Sequence, residues 1–143
     1  MTILPIAIRN ATNDDYPYIL KTWSVEFHKQ YPTTHISNAI YFPHQANIIN
    51  NIIKKCQVSI VCIDDEPNII CGFITYELFN KNLIIHYAQT KGIFRRMGIF
   101  TSMLKSIDIK YDNIIYTHDF KLLKEFKDKY NLIYDPTLLE KYL

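Results

Sequence analysis

Between Val58 and Thr90 the chain offers three strand-like runs in succession, with no stretch between them long enough for a helix. Val58 to Ile63 is short and β-branched, Asp64 to Asn68 carries turn residues, and Ile69 to Leu78 is strand-like again, so the first two runs describe a β-hairpin. Leu83 to Thr90 adds a further strand. The centre of the molecule is therefore a sheet of sequential neighbours, and the flanking segments have to cover it.

Those flanks change to helical spacing. Ile3 to Ile8 is an apolar run with an early Pro5, and it ends in Arg9-Asn10, which reads as a first strand near a sheet edge. Thr12 to Asp15 offers capping side chains and early negative charge, Pro17 suits a first turn, and Tyr16, Leu20, Trp23 and Phe27 follow on one face, predicting a helix to about Lys29. Gln30 to Asn38 reads as a loop, and Ile48, Ile49, Ile52 and Ile53 predict a second helix beyond Pro43. After the central strands, Ile99, Met103 and Ile107 mark a third helix with Phe100 and Leu104 beside its face. Asn113 to Thr117 reads as a strand, Leu122, Leu123, Phe126 and Tyr130 as a fourth helix, and Leu132 to Tyr134 as a last short strand broken by Pro136. The order is β-α-α-β-β-β-α-β-α-β. With no internal repeat and no low-complexity linker, residues 1–143 read as one continuous α/β (α+β) domain.

Composition sets limits on partners. Sixteen basic residues against fourteen acidic ones leave a formal charge of +2, too little to argue for nucleic acid or a membrane surface. Cys56, Cys62 and Cys71 form no CxxC pair and read as reduced core or near-core thiols, and no metal site is expected. The opening residues show no secretory or transit pattern, and no apolar run approaches the ~18 residues of a membrane span, so a cytoplasmic location is the expectation.

The segment with the most chemistry lies between the last central strand and the third helix. Backbone N–H groups at a helix N-terminus lack partners and the dipole there favours negative charge, so a pyrophosphate fits where the backbone can be approached. Gly98 permits that approach, Arg95 and Arg96 can add charge-assisted hydrogen bonds, Thr101 or Ser102 can supply a hydroxyl, and Lys91 extends the basic rim. The same residues also fit an ordinary turn with solvated charges, and the pattern alone leaves both readings open.

Thr90-Lys91-Gly92-Ile93-Phe94-Arg95-Arg96-Met97-Gly98-Ile99-Phe100 resembles the acyl-CoA loop of GNAT N-acetyltransferases, whose pattern is Gln/Arg-x-x-Gly-x-Gly/Ala after the fourth strand. Arg95 matches the first position and Gly98 the fourth, while Phe100 stands where the family has a small residue. The resemblance implies a mixed, mostly antiparallel twisted sheet of about six strands flanked by four helices. It also implies acetyl-CoA or another acyl-CoA as cofactor, held by Tyr87, Ala88, Gln89, Thr90, Arg95, Arg96, Met97, Gly98, Ile99, Phe100 and Thr101. More narrowly, Thr22-Trp23-Ser24, Tyr41-Phe42 before His44, His86-Tyr87, Phe94-Arg95-Arg96, Tyr116-Thr117-His118 and Tyr134-Asp135-Pro136 resemble uncharacterised phage and prophage GNAT-like proteins.

Acetyl transfer to an amine requires a polarised thioester carbonyl, a base for the acceptor and an acid for the departing thiolate. In the family a backbone amide of the fourth strand holds the carbonyl, which falls here around Tyr87 to Thr90. Glu77, His86 and His118 are the candidate bases, each in or at the end of a strand directed at the cleft; each also fits a structural role. The family's acid is a tyrosine in the fourth helix. Phe126 stands near its place and Asn131-Leu132 replaces the Gly-Phe pair that follows, which leaves Tyr130 or Tyr116. Trp23, Ser24, His35, Tyr41, Phe42 and His44 fall on the acceptor side, or form helix packing. The readings that follow are an N-acetyltransferase for an amine acceptor, a GNAT-like protein that binds without transfer, and a phage protein of DNA-base modification.

Overall fold

In the computed structural model, which describes residues 5–30, 32–95, 97–107, 109–127 and 129–143, six strands form one sheet in the order β1-β2-β3-β4-β5-β6. They are β1 (Ile6–Asn10), β2 (Gln57–Ile63), β3 (Glu66–Phe79), β4 (Asn82–Thr90), β5 (Asn113–Tyr116) and β6 (Leu132–Tyr134). The first three pairings are antiparallel, and β4–β5 and β5–β6 are parallel. The helices are α1 (Tyr16–His28), α2 (Asn38–Lys55) and α3 (Ile99–Ser106), with 3₁₀ helices at Thr33–His35, Gly92–Phe94, Lys121–Glu125 and Pro136–Tyr142. The mixed, mostly antiparallel α+β architecture matches the expectation. Ile3 and Leu4, assigned to the first strand, lie outside the described residues.

Three local expectations are corrected and one is extended. Asp15 does not cap α1 with its side chain; it bonds the Arg9 guanidinium at 2.7 and 2.9 Å and the Thr12 N–H at 2.7 Å. Helix α2 starts at Asn38 and carries Pro43 inside it. The missing proline N–H forfeits one bond, and burial of Tyr41, Gln45 and four isoleucines compensates. The fourth helix is a 3₁₀ helix, because Phe120 and Leu123 are buried and Phe126 half-buried at a spacing of three, which matches three residues per turn. Pro136 does end β6, but it also opens a helix, with Asp135 accepting from the Thr137 N–H at 3.0 Å. No helix among the described residues is long and apolar enough to cross a membrane.

The sheet irregularity that matters most lies in β4. Thr75 pairs with Tyr87 but Tyr76 pairs with Ile85, so His86 is an extra residue, a β-bulge. It turns His86 and Tyr87 to one face: His86 meets Glu77, and Tyr87 meets Phe73, two positions on β3 that alternation places on the same side. Tyr87 stacks on Trp23 of α1 at 5.0 Å between ring centroids. Gly72 holds β3 and β4 together at the other end, since a Cβ there would lie 2.5 Å from the Gln89 carbonyl oxygen.

Candidate active site

Among the described residues, strand β4 has a neighbouring strand on one side only beyond Ile85. Its parallel partner β5 ends at Tyr116, opposite Ile85, and the Thr117 N–H bonds the Ile85 carbonyl at 3.2 Å just past that last pair. Tyr87 to Thr90 then line a cavity of about 360 Å³ whose other walls are Glu26, Lys29 and Gln30 from the end of α1, and Lys121, Leu122 and Glu125 beyond β5. Because the Lys91 N–H bonds the Cys71 carbonyl on β3 at 2.8 Å, the Thr90 carbonyl in the same peptide plane points away from β3. Strand alternation then directs the N–H and C=O of Thr90 and Ala88 to the open side.

Glu26 is the acidic group on the α1 wall, and it escaped the sequence reading. Its Oε2 accepts the Tyr87 hydroxyl at 3.1 Å. Burial, and then the adjacent Glu26 charge, push the Tyr87 phenol above its ordinary range, so it stays a neutral donor. The available signal was position: Glu26 lies three residues beyond Trp23, one turn along the same helix. Gln89 is fixed from the same helix, accepting the Tyr18 hydroxyl at 3.3 Å.

A second cavity of about 50 Å³ adjoins the first, lined by Thr90, Arg95, Gly98, Ile99, Phe100, Leu122, Glu125 and Phe126. Gly98 is the residue before α3, with φ +74°, and its carbonyl accepts the Ser102 N–H at 2.9 Å. A Cβ there would meet nothing within 4 Å, so the backbone conformation requires glycine and the space above it is open. The Thr90 hydroxyl oxygen is buried without a partner among the described residues. Phe100 and Phe126 meet at 4.7 Å between ring centroids and narrow this cavity. Met97 is exposed in the loop, Thr101 is half-buried in the first turn of α3, and Arg96 lies outside the described residues.

The three residues expected as bases do not line the cavity. They belong to a hydrogen-bonded relay beside it. Gln45 Nε2 donates to His118 Nε2 at 3.0 Å, which leaves the His118 proton on Nδ1, 3.3 Å from the Thr117 hydroxyl. Thr117 Oγ1 lies 2.8 Å from His86 Nδ1, and His86 Nε2 lies 2.7 Å from Glu77 Oε2. Since an ionised carboxylate only accepts, the protons run one way: Gln45 to His118 to Thr117 to His86 to Glu77. Complete burial, followed by the proximity of His86, pushes the His118 pKa down to about 3. Burial alone would raise Glu77, but hydrogen bonds from His86, Lys141, Tyr142 and Cys56 outweigh it and hold the carboxyl below the usual range. Tyr130 is half-buried against Phe126 at 6.2 Å, and Tyr116 packs on Tyr134 at 5.1 Å; neither lines the cavity. Tyr41 and Trp23 belong to the packing of α1 and α2, with the Tyr41 hydroxyl donating to the Ser24 carbonyl at 2.7 Å.

No family model and no curated protein matches this sequence. The backbone, however, is similar to solved acetyltransferases. A possible acetyltransferase from Clostridium difficile 630 superposes with a TM-score of 0.59 at 17% identity, over 91% of this chain and 93% of its own. A structure from Corynebacterium glutamicum ATCC 13032, described as histone acetyltransferase HPA2 and related acetyltransferase, gives 0.53 at 15% identity over 71% and 69%. A GNAT family acetyltransferase from Brucella melitensis, solved in complex with acetyl-CoA, gives 0.50 at 14% identity over 85% and 80%. The fold is that of the GNAT acetyltransferases.

Within the GNAT fold the sequence reading separates into two groups. Tyr87, Ala88, Gln89, Thr90 and Arg95 come together around the larger cavity, and Gly98, Ile99 and Phe100 join Thr90 and Arg95 around the smaller one. Glu77, His86 and His118 come together too, but with each other and with Thr117.

Proposed function

We propose that this chain is an acyl-CoA-dependent N-acyltransferase that moves an acetyl group to an amine, with Glu26 receiving the amine proton. The observation that carries the reading is the open side of β4: two peptide units, at Ala88 and Thr90, facing a cavity continuous with the glycine-capped start of α3. Free amides at that helix start, together with Arg95 and the partnerless Thr90 hydroxyl, suit a diphosphate and its linker, and the open space over Gly98 leaves room for them. When bound, acetyl-CoA supplies an activated thioester.

The chain's own groups then divide the work. Backbone N–H donors of β4 hold developing negative charge on an acyl oxygen without reorganising, because the strand is fixed by β3 on its other side. Glu26 faces the same cavity, and its hydrogen bond from Tyr87 fixes the carboxylate in place. Glu26 takes the proton of an amine placed between them as its nitrogen bonds the acyl carbon, and the thiolate released when the thioester C–S bond breaks takes its proton from water. Lys29, Lys121 and Arg95 offset Glu26 and Glu125 along the walls, so an acceptor bearing both an amine and an acidic group finds both partners there.

Isothermal titration with acetyl-CoA, followed by turnover against a panel of amines, tests the reading; absence of binding at millimolar cofactor rejects it. A second reading, a GNAT-fold protein that binds without transfer, is supported by the contact of Phe100 with Phe126 across the smaller cavity. Binding without turnover on any amine selects it.

A further inference from the structure

We propose that Cys56, Glu77 and His86 form a binding site for one divalent ion of the zinc type, outside the cavity and independent of acyl transfer. The three come from separate rigid elements. Cys56 closes α2, with its N–H on the Ile52 carbonyl at 2.8 Å; Glu77 pairs with Ile84 near the end of β3; and His86 is the bulge residue of β4. Their ligand atoms all lie within 4.8 Å of one another. Cys56 Sγ is 3.2 Å and His86 Nε2 is 2.7 Å from the same Glu77 oxygen. Tetrahedral zinc with thiolate, imidazole and carboxylate ligands needs separations of about 3.3 to 3.6 Å, so the two contacts to the Glu77 oxygen open by about half an ångström when an ion enters.

The surroundings suit that chemistry. A thiolate, an imidazole and a carboxylate are a borderline-soft donor set that favours zinc over magnesium or calcium. The second nitrogen of His86 is already anchored on Thr117 at 2.8 Å, the outer contact that orients a ligating imidazole. Lys141 holds the other Glu77 oxygen at 2.6 Å and is half exposed, which opens the site to solvent, and Tyr142 lies 3.1 Å from Cys56 Sγ. The Tyr142 hydroxyl also bonds the Glu77 oxygen that would ligate the ion, so it gives up that contact on binding and stands beside the fourth position, which is left to water. Thiolate and carboxylate together neutralise the ion, with Lys141 remaining as the local positive charge.

Binding has a consequence for the relay. Bonds form from the ion to Sγ, to one carboxylate oxygen and to His86 Nε2, and the Cys56 S–H bond breaks, releasing one proton to solvent for each ion bound. His86 stays neutral but now carries its proton on Nδ1 and donates to Thr117. Thr117 must then donate to His118 Nδ1, and His118 must carry its proton on Nε2, facing a Gln45 amide that turns over to accept. The ion therefore reverses every hydrogen bond from β4 to α2.

The test uses the full chain, stripped with a chelator and titrated with cobalt(II), whose bond to a thiolate gives a near-ultraviolet charge-transfer band. One equivalent of cobalt should produce the band, zinc should displace it, and Cys56→Ser, isosteric at a half-buried position, should lose it. Thr117→Val should weaken the ion about ten- to a hundredfold. Nitrogen-15 spectra of the imidazoles should show the His118 tautomer switching from Nδ1–H to Nε2–H with zinc. No band, a band that survives Cys56→Ser, or a His118 tautomer unmoved by zinc would each overturn the proposal.

Discussion

The bulge of β4 divides two polar regions that are close in space and opposite in character. On one side, Tyr87 to Thr90 face a cavity with groups left available: the open peptide units of Ala88 and Thr90, the Thr90 hydroxyl and the Glu26 carboxylate. On the other, His86 enters a cluster in which Glu77, Thr117, His118 and Gln45 have hydrogen-bond partners in one another. A buried polar side chain with its partners in place contributes to the fold, whereas one without a partner among the described residues, as at Thr90, has a hydrogen bond still to make. Residue type alone does not separate the two, and the histidines, usually the first residues suspected of catalysis, lie on the satisfied side.

The sharpest way to break this comparison is at Gly98. Gly98→Val should abolish acetyl-CoA binding in titration calorimetry, because a β-branched residue at φ +74° leaves the left-handed region and moves the first turn of α3, at a cost of about 1–2 kcal/mol in urea unfolding. Next, Glu26→Gln should lower kcat roughly 100-fold or more while acetyl-CoA affinity holds, read by steady-state kinetics and calorimetry together. Equal loss in both would place Glu26 in cofactor binding instead.

Acid titration of stability examines the satisfied side. His118 binds its proton at about 3 when folded against 6.5 when unfolded, so between those values the unfolded state holds more protons and stability falls as pH drops below 6.5. Glu77, held below its ordinary 4.5, adds a second loss that starts near that value and continues downward. Urea midpoints from pH 7 to 4 should show the first decline in the parent chain and a flatter profile in His118→Gln. Smaller still, Thr90→Val should weaken acetyl-CoA about three- to tenfold without loss of stability, since the hydroxyl it removes has no partner among the described residues. Last, Arg9→Met, which removes the bidentate partner of Asp15 at the edge strand, should cost about 1–3 kcal/mol in urea unfolding and leave both regions unchanged, because it strands a carboxylate that is only 7% exposed.

The strands were legible because their signal is local. β-branched runs bounded by turn residues located β2, β4, β5 and β6 to within about a residue, and the strand-loop-helix pattern around Arg95 and Gly98 led to the smaller cavity. Other features could not be read this way. The 3₁₀ form at Lys121–Glu125 depends on which of several apolar residues turn inward, and the helix at Pro136–Tyr142 forms where Tyr142 is buried and reaches Cys56. Glu26 reads as an ordinary helix glutamate until Tyr87, sixty-one positions later, is placed against it.

Sequence by itself determined the succession of strands and helices and the glycine that starts α3, because backbone propensity and turn chemistry act over a few residues. Tertiary structure decided which polar groups are spent and which remain open. That choice rests on the one extra residue at His86 and on the parting of β4 from β5, which together assign each donor and acceptor a partner or leave it facing the cavity.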